Sequence, residues 1–179
     1  VKRLPFTDAF VDESIRGQRY LMACVLVEAR NLSDVRQAMR ALAAPGKRLH
    51  FHQELDTVRR ATLDLIVTLP VEVTVVSCIR RHGVTEFIAR DACLTELVRH
   101  LQEREVARVT IESRQDDRDD VRTISRARLR EPRLIFDHRR GLDEPILWIA
   151  DAIAWSSGAG GKWSNGLDTV VRNVVDLRP

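Results

Sequence analysis

The sequence predicts an α/β fold in which a mixed five-stranded sheet is flanked by helices. Three observations point to it. Short Val-rich or alternating runs recur at 8–14, 20–27, 71–79, 107–113 and 133–138. Longer amphipathic or wholly apolar stretches separate the later runs. Only "RGQR" joins the first two runs, so they form an antiparallel hairpin, whereas the later β-α-β spacing implies crossovers.

The elements follow in order. "DAFVDES" is a short strand, with Phe10 and Asp12 on one face and Val11 and Glu13 on the other. Tyr20 to Val27 is a continuous apolar run, too short for a typical buried helix and suited to a central strand. Asn31 or Ser33 can cap a helix through about Leu42, stopped by "APG". A short irregular piece, "KRLHFHQEL", precedes a second helix from about Leu55 to Leu69, ended by Pro70. "VEVTVVSCI" is the third strand. In "TEFIARDACLTELVRHLQER", Phe87, Ile88, Leu94, Leu97, Val98 and Leu101 share a broad helical face. "ARVTIES" is the fourth strand, with Thr110 and Glu112 on the face opposite Val109 and Ile111. The next helix begins at "DDRDD", where acids complement the first turn. "RLIFDH" is the fifth strand. "GLDEPILWIADAIAWSSG" is a helix with Pro145 near its start and Gly158 at its end. A last amphipathic segment with Leu167, Val170, Val171, Val174 and Val175 is expected to be helical.

Composition narrows the classes. With 179 residues and 44% hydrophobic content, a single domain over 1–179 with a real core is expected. No run approaches the roughly 18 apolar residues of a membrane span, and "VKRLPFTDAF" lacks the apolar region of a signal peptide. Cys24, Cys78 and Cys93 are odd in number, far apart and set among apolar residues. Buried free thiols in a cytoplasmic protein are expected, and their spacing excludes a C-x-x-C site. Only three of the 29 basic residues are lysine. Arginine forks match phosphate well, and residues 126–140 are rich in them, but a solvated surface explains that stretch equally. "SSGAGGKWSN" contains Gly-Lys but lacks phosphate-loop spacing and follows a helix rather than a strand. It is expected to be a loop in which Lys162 and Trp163 are available to a phosphate and a base.

Three apolar segments each deliver one isolated carboxylate: Asp12 ending strand 1, Glu112 ending strand 4, and Asp151 within "ILWIADAIAW". Ligands in open α/β sheets gather at the carboxyl ends of strands. If strands 1 and 4 are neighbours, Asp12 and Glu112 meet there, and a helix across that edge adds Asp151. Three clustered carboxylates repel unless a cation holds them. Hard oxygen donors select Mg²⁺ or Mn²⁺. Two such ions about 3.5–4 Å apart activate a water and stabilise a leaving oxygen in phosphodiester cleavage. Taken singly, each acid is also explained as a cap or a surface charge.

"FVDES", "LHFHQEL", "TIESR", "IFDHR" and "LWIADAIAW", in that order, resemble the ribonuclease H-like superfamily. More closely they resemble a bacterial and phage family within it. Its members open on a strand ending in D-E-S and carry an L/I-H-x-x-x-[DE]-L-like motif in a helical insertion between strands 2 and 3. They close on an L-Q-L-A-D-L-I-A-like helix. The resemblance spans about residues 8 to 160. It implies an RNase H-like fold and a metal-dependent nuclease, with Asp12, Glu112 and Asp151 as metal ligands and Glu54, Glu13 and His50 as weaker candidates. Strand alternation admits only one of Asp12 and Glu13 to the metal. His50 or His52 could shuttle protons near neutral pH. Asp137 matches the family's fifth-strand acid and has Arg139 and Arg140 beside it. Arg114, Arg139, Arg140 and Lys162 are the candidate phosphate contacts. Two positions depart from the pattern: Ile15 stands where Gly often follows D-E-S, and Glu112 where Asp is common.

Two other readings stand beside the nuclease. One is a nucleic-acid-binding or protein-interaction module that kept the fold but not the chemistry. The other is a different nuclease fold such as the PIN domain, against which the antiparallel opening hairpin argues. The substrate, RNA or DNA, and the oligomeric state are not legible.

Overall fold

In the computed structural model, which describes residues 8–115, 117–130 and 133–178, a sheet of six strands lies between two helical layers. Asp116 of the acidic run and Glu131–Pro132 of the Arg-rich stretch lie outside the described residues, as do residues 1–7. The strands are β1 (Asp8–Arg16), β2 (Arg19–Val27), β3 (Val71–Ile79), β4 (Arg108–Glu112), β5 (Ile135–Arg139) and β6 (Val171–Leu177). Their spatial order is β5-β4-β1-β2-β3-β6. β1 and β3 pair antiparallel with β2, while β4 lies parallel to β1, β5 to β4 and β6 to β3. A two-residue turn closes the first hairpin, with Arg16 opposite Arg19 and Gly17 at φ +56°, the conformation such turns require.

The helices are α1 (Leu32–Arg40), α2 (Asp56–Ile66), α3 (Glu86–Glu103), α4 (Arg118–Ala127) and α5 (Leu147–Ala159). Period-two alternation assigns the two sheet faces. Phe10, Leu21, Ala23, Val25, Val73 and Val75 pack under α5 with Val35, Met39 and Phe51. Ala9, Val11, Met22, Cys24, Val76, Val109 and Ile111 pack with Cys93, Leu94, Leu97 and Leu101 of α3 and Ile124 of α4. Helix α5 is apolar on every side because β1 and β2 lie beneath it and α2 and the Phe51 turn pack against it. Each of its fully buried large side chains contributes about 1.5–3 kcal/mol. The chain entering α5 is fixed by buried Glu144, which accepts Arg36 Nε at 3.0 Å and Nη2 at 2.8 Å.

Two expectations are corrected. The sheet has six strands among the described residues rather than five, because the last segment is a strand, not a helix. Its valines fit both periods, but pairing with β3 decides the matter and exposure along it alternates. A register shift beside Val73 and Thr74 lets Val171 pack on the α5 side and Val175 and Leu177 on the α3 side. Phe87 and Ile88 do not join the buried face of α3, being 57% and 41% exposed in its first turn. Phe87 instead lines a surface cavity with Arg90 and Arg114. The three cysteines are buried free thiols. Among the described residues, no helix is long and apolar enough to cross a membrane.

Candidate active site

Asp12 shares the face of β1 that carries Phe10, and Glu112 shares the face of β4 that carries Thr110. Because β1 and β4 are parallel and adjacent, with Val11 opposite Ile111, the next residue of each strand brings one carboxylate beside the other. The Asp12 and Glu112 carboxyl groups lie close enough for each to shift the titration of the other. Asp151 arrives from α5, which packs across β1, and its Oδ2 accepts the backbone N–H of Phe51 at 3.1 Å. Asp12 and Asp151 are 7% and 8% exposed, so neither is a surface charge.

Burial pushes the Asp12 carboxyl well above the ordinary range, and the neighbouring Glu112, Glu13 and Asp151 push the same way. Burial also raises Glu112, but the hydrogen bonds from Asp12 and Arg48 outweigh it and hold Glu112 low. Asp12 is thus the member of the pair held toward its protonated form and Glu112 the member held toward the carboxylate. Burial raises Asp151 as well, opposed by the Phe51 N–H and by Arg48.

Arg48 is the cation of this cluster. Its Nη1 is hydrogen-bonded to Glu112 Oε1, and its Nη2 donates to Oε2 at 3.0 Å. Its charge is also felt by Asp12 and Asp151. Arg48 precedes Leu49 and His50 in the segment between α1 and the Phe51–Gln53 turn. His50 is half-buried, and its imidazole titrates below its ordinary value because of burial and the neighbouring Arg48. Glu54 is near enough for its charge to act on His50. The motif "LHFHQEL" thus reaches the site through the Phe51 N–H and His50.

Glu13 points the other way, as alternation requires. It meets Arg90 Nη1 at 2.7 Å and Arg114 Nε at 3.4 Å on the α3 side. The candidate phosphate contacts all hold acidic partners: Arg114 with Glu13 and Glu86, Arg139 with Asp137, Arg140 with Asp143, and Lys162 with Asp56. Asp137 also accepts the Thr110 hydroxyl at 2.7 Å.

Among the described residues, the group whose possible metal-ligand atoms all lie within 4.8 Å of one another is Asp117, Asp120 and His138. Its carboxylate oxygens already accept hydrogen bonds. Asp120 accepts Arg90 Nε and Nη2, each at 2.7 Å, and His138 Nε2 lies 3.1 Å from Oδ2. Asp117 accepts the Ser113 hydroxyl at 2.7 Å and the Arg114 N–H at 2.8 Å. Arg90, Asp120 and His138 form ion pairs that tie α4 to α3. Asp12, Glu112 and Asp151 are not drawn together to that spacing.

Two features were not read from the sequence. One is Arg48. The other is a ring and cation stack beside Asp151. Trp155 and Trp163 meet edge to face at 5.6 Å, with Arg16 and Arg59 over Trp155 at 4.7 and 4.6 Å and Arg60 over Trp163 at 5.2 Å. A cavity of about 540 Å³ lies there, its walls including Ser14, Arg16, His52, Asp151 and Trp155.

No family model matches the sequence, and no curated protein matches it. Solved structures do. Ribonuclease H2 from Pyrococcus horikoshii OT3 superposes with a TM-score of 0.54 at 16% identity, over 85% of this chain and 72% of that one. Bst-RNase HIII, solved in complex with Mn²⁺, gives a TM-score of 0.50 at 16% identity, over 86% of this chain. The match covers 52% of Bst-RNase HIII, about half its length. The protein is an α/β protein with the RNase H-like fold.

Proposed function

We propose that the protein is a metal-dependent phosphodiesterase that cleaves nucleic acid, built as a single RNase H-like domain with α1 and α2 forming a helical insertion between β2 and β3. The observation that carries this is the meeting of Asp12 and Glu112 from adjacent parallel strands beneath Asp151 of a packed helix. The donor set fits a hard divalent cation: three carboxylates, two of them side by side on adjacent parallel strands. Asp12, Glu112 and Asp151 would hold Mg²⁺ or Mn²⁺. Such an ion, when bound, supplies Lewis-acid stabilisation of phosphate and a lowered pKa for a coordinated water.

The chain's own groups do the rest. Burial and Arg48 lower the His50 pKa, which favours the neutral imidazole, the form that can accept a proton. Glu54 supports that role through its charge. Phe51 fixes the orientation of Asp151 through its N–H. Arg16 lines the cavity at Asp151 and Arg59 lies over the same Trp155 ring, so both would be near a bound phosphate backbone. Arg114, Arg139, Arg140 and Lys162 are the further phosphate contacts proposed, each after exchanging its carboxylate partner for phosphate. The resemblance to the D-E-S family of the RNase H-like superfamily supports the same assignment.

The test is cleavage of RNA, DNA and hybrid duplexes with Mg²⁺ or Mn²⁺. Asp151→Asn is expected to reduce turnover by at least about 100-fold, a typical cost of a lost catalytic electrostatic contact. Unchanged turnover would remove the mechanism. The Arg48 pairing favours one other reading, a non-catalytic nucleic-acid-binding module, because it neutralises the carboxylates without a metal. That reading predicts salt-sensitive binding with no metal-dependent turnover.

A further inference from the structure

Arg48 sits where its charge answers all three carboxylates. Both terminal nitrogens are spent on Glu112, one on each oxygen. A carboxylate engaged by a guanidinium fork has given up much of the lone-pair capacity that a hard cation needs. The two cations therefore compete for Glu112, and the presence of one disfavours the other by simple charge repulsion.

The surrounding chain is shaped around this arginine. A Cβ on Gly141 would come within 2.4 Å of Arg48 Cζ and 2.6 Å of Nη1. The guanidinium therefore lies where a side chain at 141 would begin, and any such side chain would have to displace it. The backbone of the same glycine helps hold the Glu112 carboxyl low, and its carbonyl accepts Trp148 Nε1 at 2.6 Å. Gly141 thus connects Arg48, Glu112 and the start of α5. The arginine itself is lightly tethered. Its Nε is buried without a hydrogen-bond partner, and it belongs to a segment outside regular secondary structure that follows exposed Pro45, Gly46 and Lys47. Its fixed end is the guanidinium, and the backbone carrying it has no helix or strand ladder to break.

We propose that Arg48 is a displaceable counter-ion of the carboxylate site, which a divalent cation must drive off Glu112 in order to bind. This inference rests on the carboxylates being the metal site. Metal loading would then be coupled to movement of the 45–50 segment, and so to His50 and to the Phe51 N–H that holds Asp151. Binding would be weakened by the stability of the Arg48-paired form, since only the unpaired form is competent.

The experiment is Mn²⁺ titration of chelator-treated protein by calorimetry at fixed pH and ionic strength, with native circular dichroism as the fold control. Arg48→Gln is expected to bind Mn²⁺ at least about tenfold more tightly than wild type, equivalent to about 1.4 kcal/mol. Gly141→Ala, whose methyl group would push the guanidinium aside, is expected to tighten binding in the same direction. Gly141 does not adopt positive φ, so alanine is compatible with its backbone. Equal or weaker binding by folded Arg48→Gln and Gly141→Ala, with wild-type binding still abolished by Asp151→Asn, would overturn the counter-ion role and leave the metal site standing. No Mn²⁺ binding by folded wild type or either variant would overturn both. If Arg48→Gln does not fold, Gly141→Ala decides alone.

Discussion

Asp120→Ala tests whether the second acidic cluster is an internal ion-pair network or a metal site. Asp120 is buried and receives two hydrogen bonds of 2.7 Å from Arg90, whose Nη1 also contacts Glu13 at 2.7 Å and the Tyr20 hydroxyl at 3.0 Å. Removing one partner of a buried pair costs about 3–5 kcal/mol. Glu13 still faces the guanidinium, which places the loss near the lower end, about 3 kcal/mol. A separate route gives a similar size. Burial raises the Asp120 carboxyl, but hydrogen bonds from Arg90 and His138 outweigh it and bring it down to about 2. That depression corresponds to about 2–3 kcal/mol of stability at neutral pH. Because the folded pKa is depressed, the contribution is present above the unfolded value near 3.9 and is lost as pH falls toward about 2. Urea unfolding should therefore show a gap between wild type and variant that is constant from about pH 7 to 5 and narrows below about 4. The melting temperature should fall by about 6–12 °C at pH 7. A loss below about 1 kcal/mol, or a gap that ignores acid, would refute the reasoning. So would a Mn²⁺-induced rise in melting temperature that Asp120→Ala abolishes and Asp151→Asn leaves intact.

Other outcomes follow from the same geometry. Asp12→Asn should stabilise the metal-free protein at pH 7 while removing turnover. The folded pKa of Asp12 is raised, so its ionisation costs stability as pH rises from the unfolded value through the folded one; denaturation in chelator across pH 4 to 8 checks the sign. Trp148→Phe deletes the 2.6 Å bond to the Gly141 carbonyl and should cost about 1–3 kcal/mol, measurable by urea unfolding. Val175→Asp should destabilise by more than about 1.5 kcal/mol, whereas Val174→Asp should be near neutral. Val175 packs against the core and Val174 is 60% exposed; equal effects would contradict the strand assignment of 171–177.

The carboxylates were legible because each interrupts an apolar run. A lone Asp in "ILWIADAIAW" and single acids ending "AFVD" and "VTIE" have few roles in a packed sheet-and-helix core. Strand alternation alone separated Asp12 from Glu13, and the structure sends Glu13 to Arg90. Arg48 was not legible. It lies 64 residues from Glu112 in sequence, and an arginine in a short irregular segment looks like any solvated side chain until the fold brings the two together. Gly141 was hidden for the same reason, since its closeness to Arg48 appears only in the folded chain. The last strand was misread because Leu167, Val170, Val171, Val174 and Val175 also satisfy helical spacing. Pairing with β3, a non-local contact, settled it.

The central claim is that Asp12, Glu112 and Asp151 form a divalent-cation site. Crystals soaked in Mn²⁺ and measured for anomalous scattering test it most directly. The expected result is an ion with oxygens of all three carboxylates at about 2.0–2.2 Å and the Arg48 guanidinium withdrawn from Glu112. An ion held instead by Asp117, Asp120 and His138, or no ion with Arg48 still paired to Glu112, would contradict it.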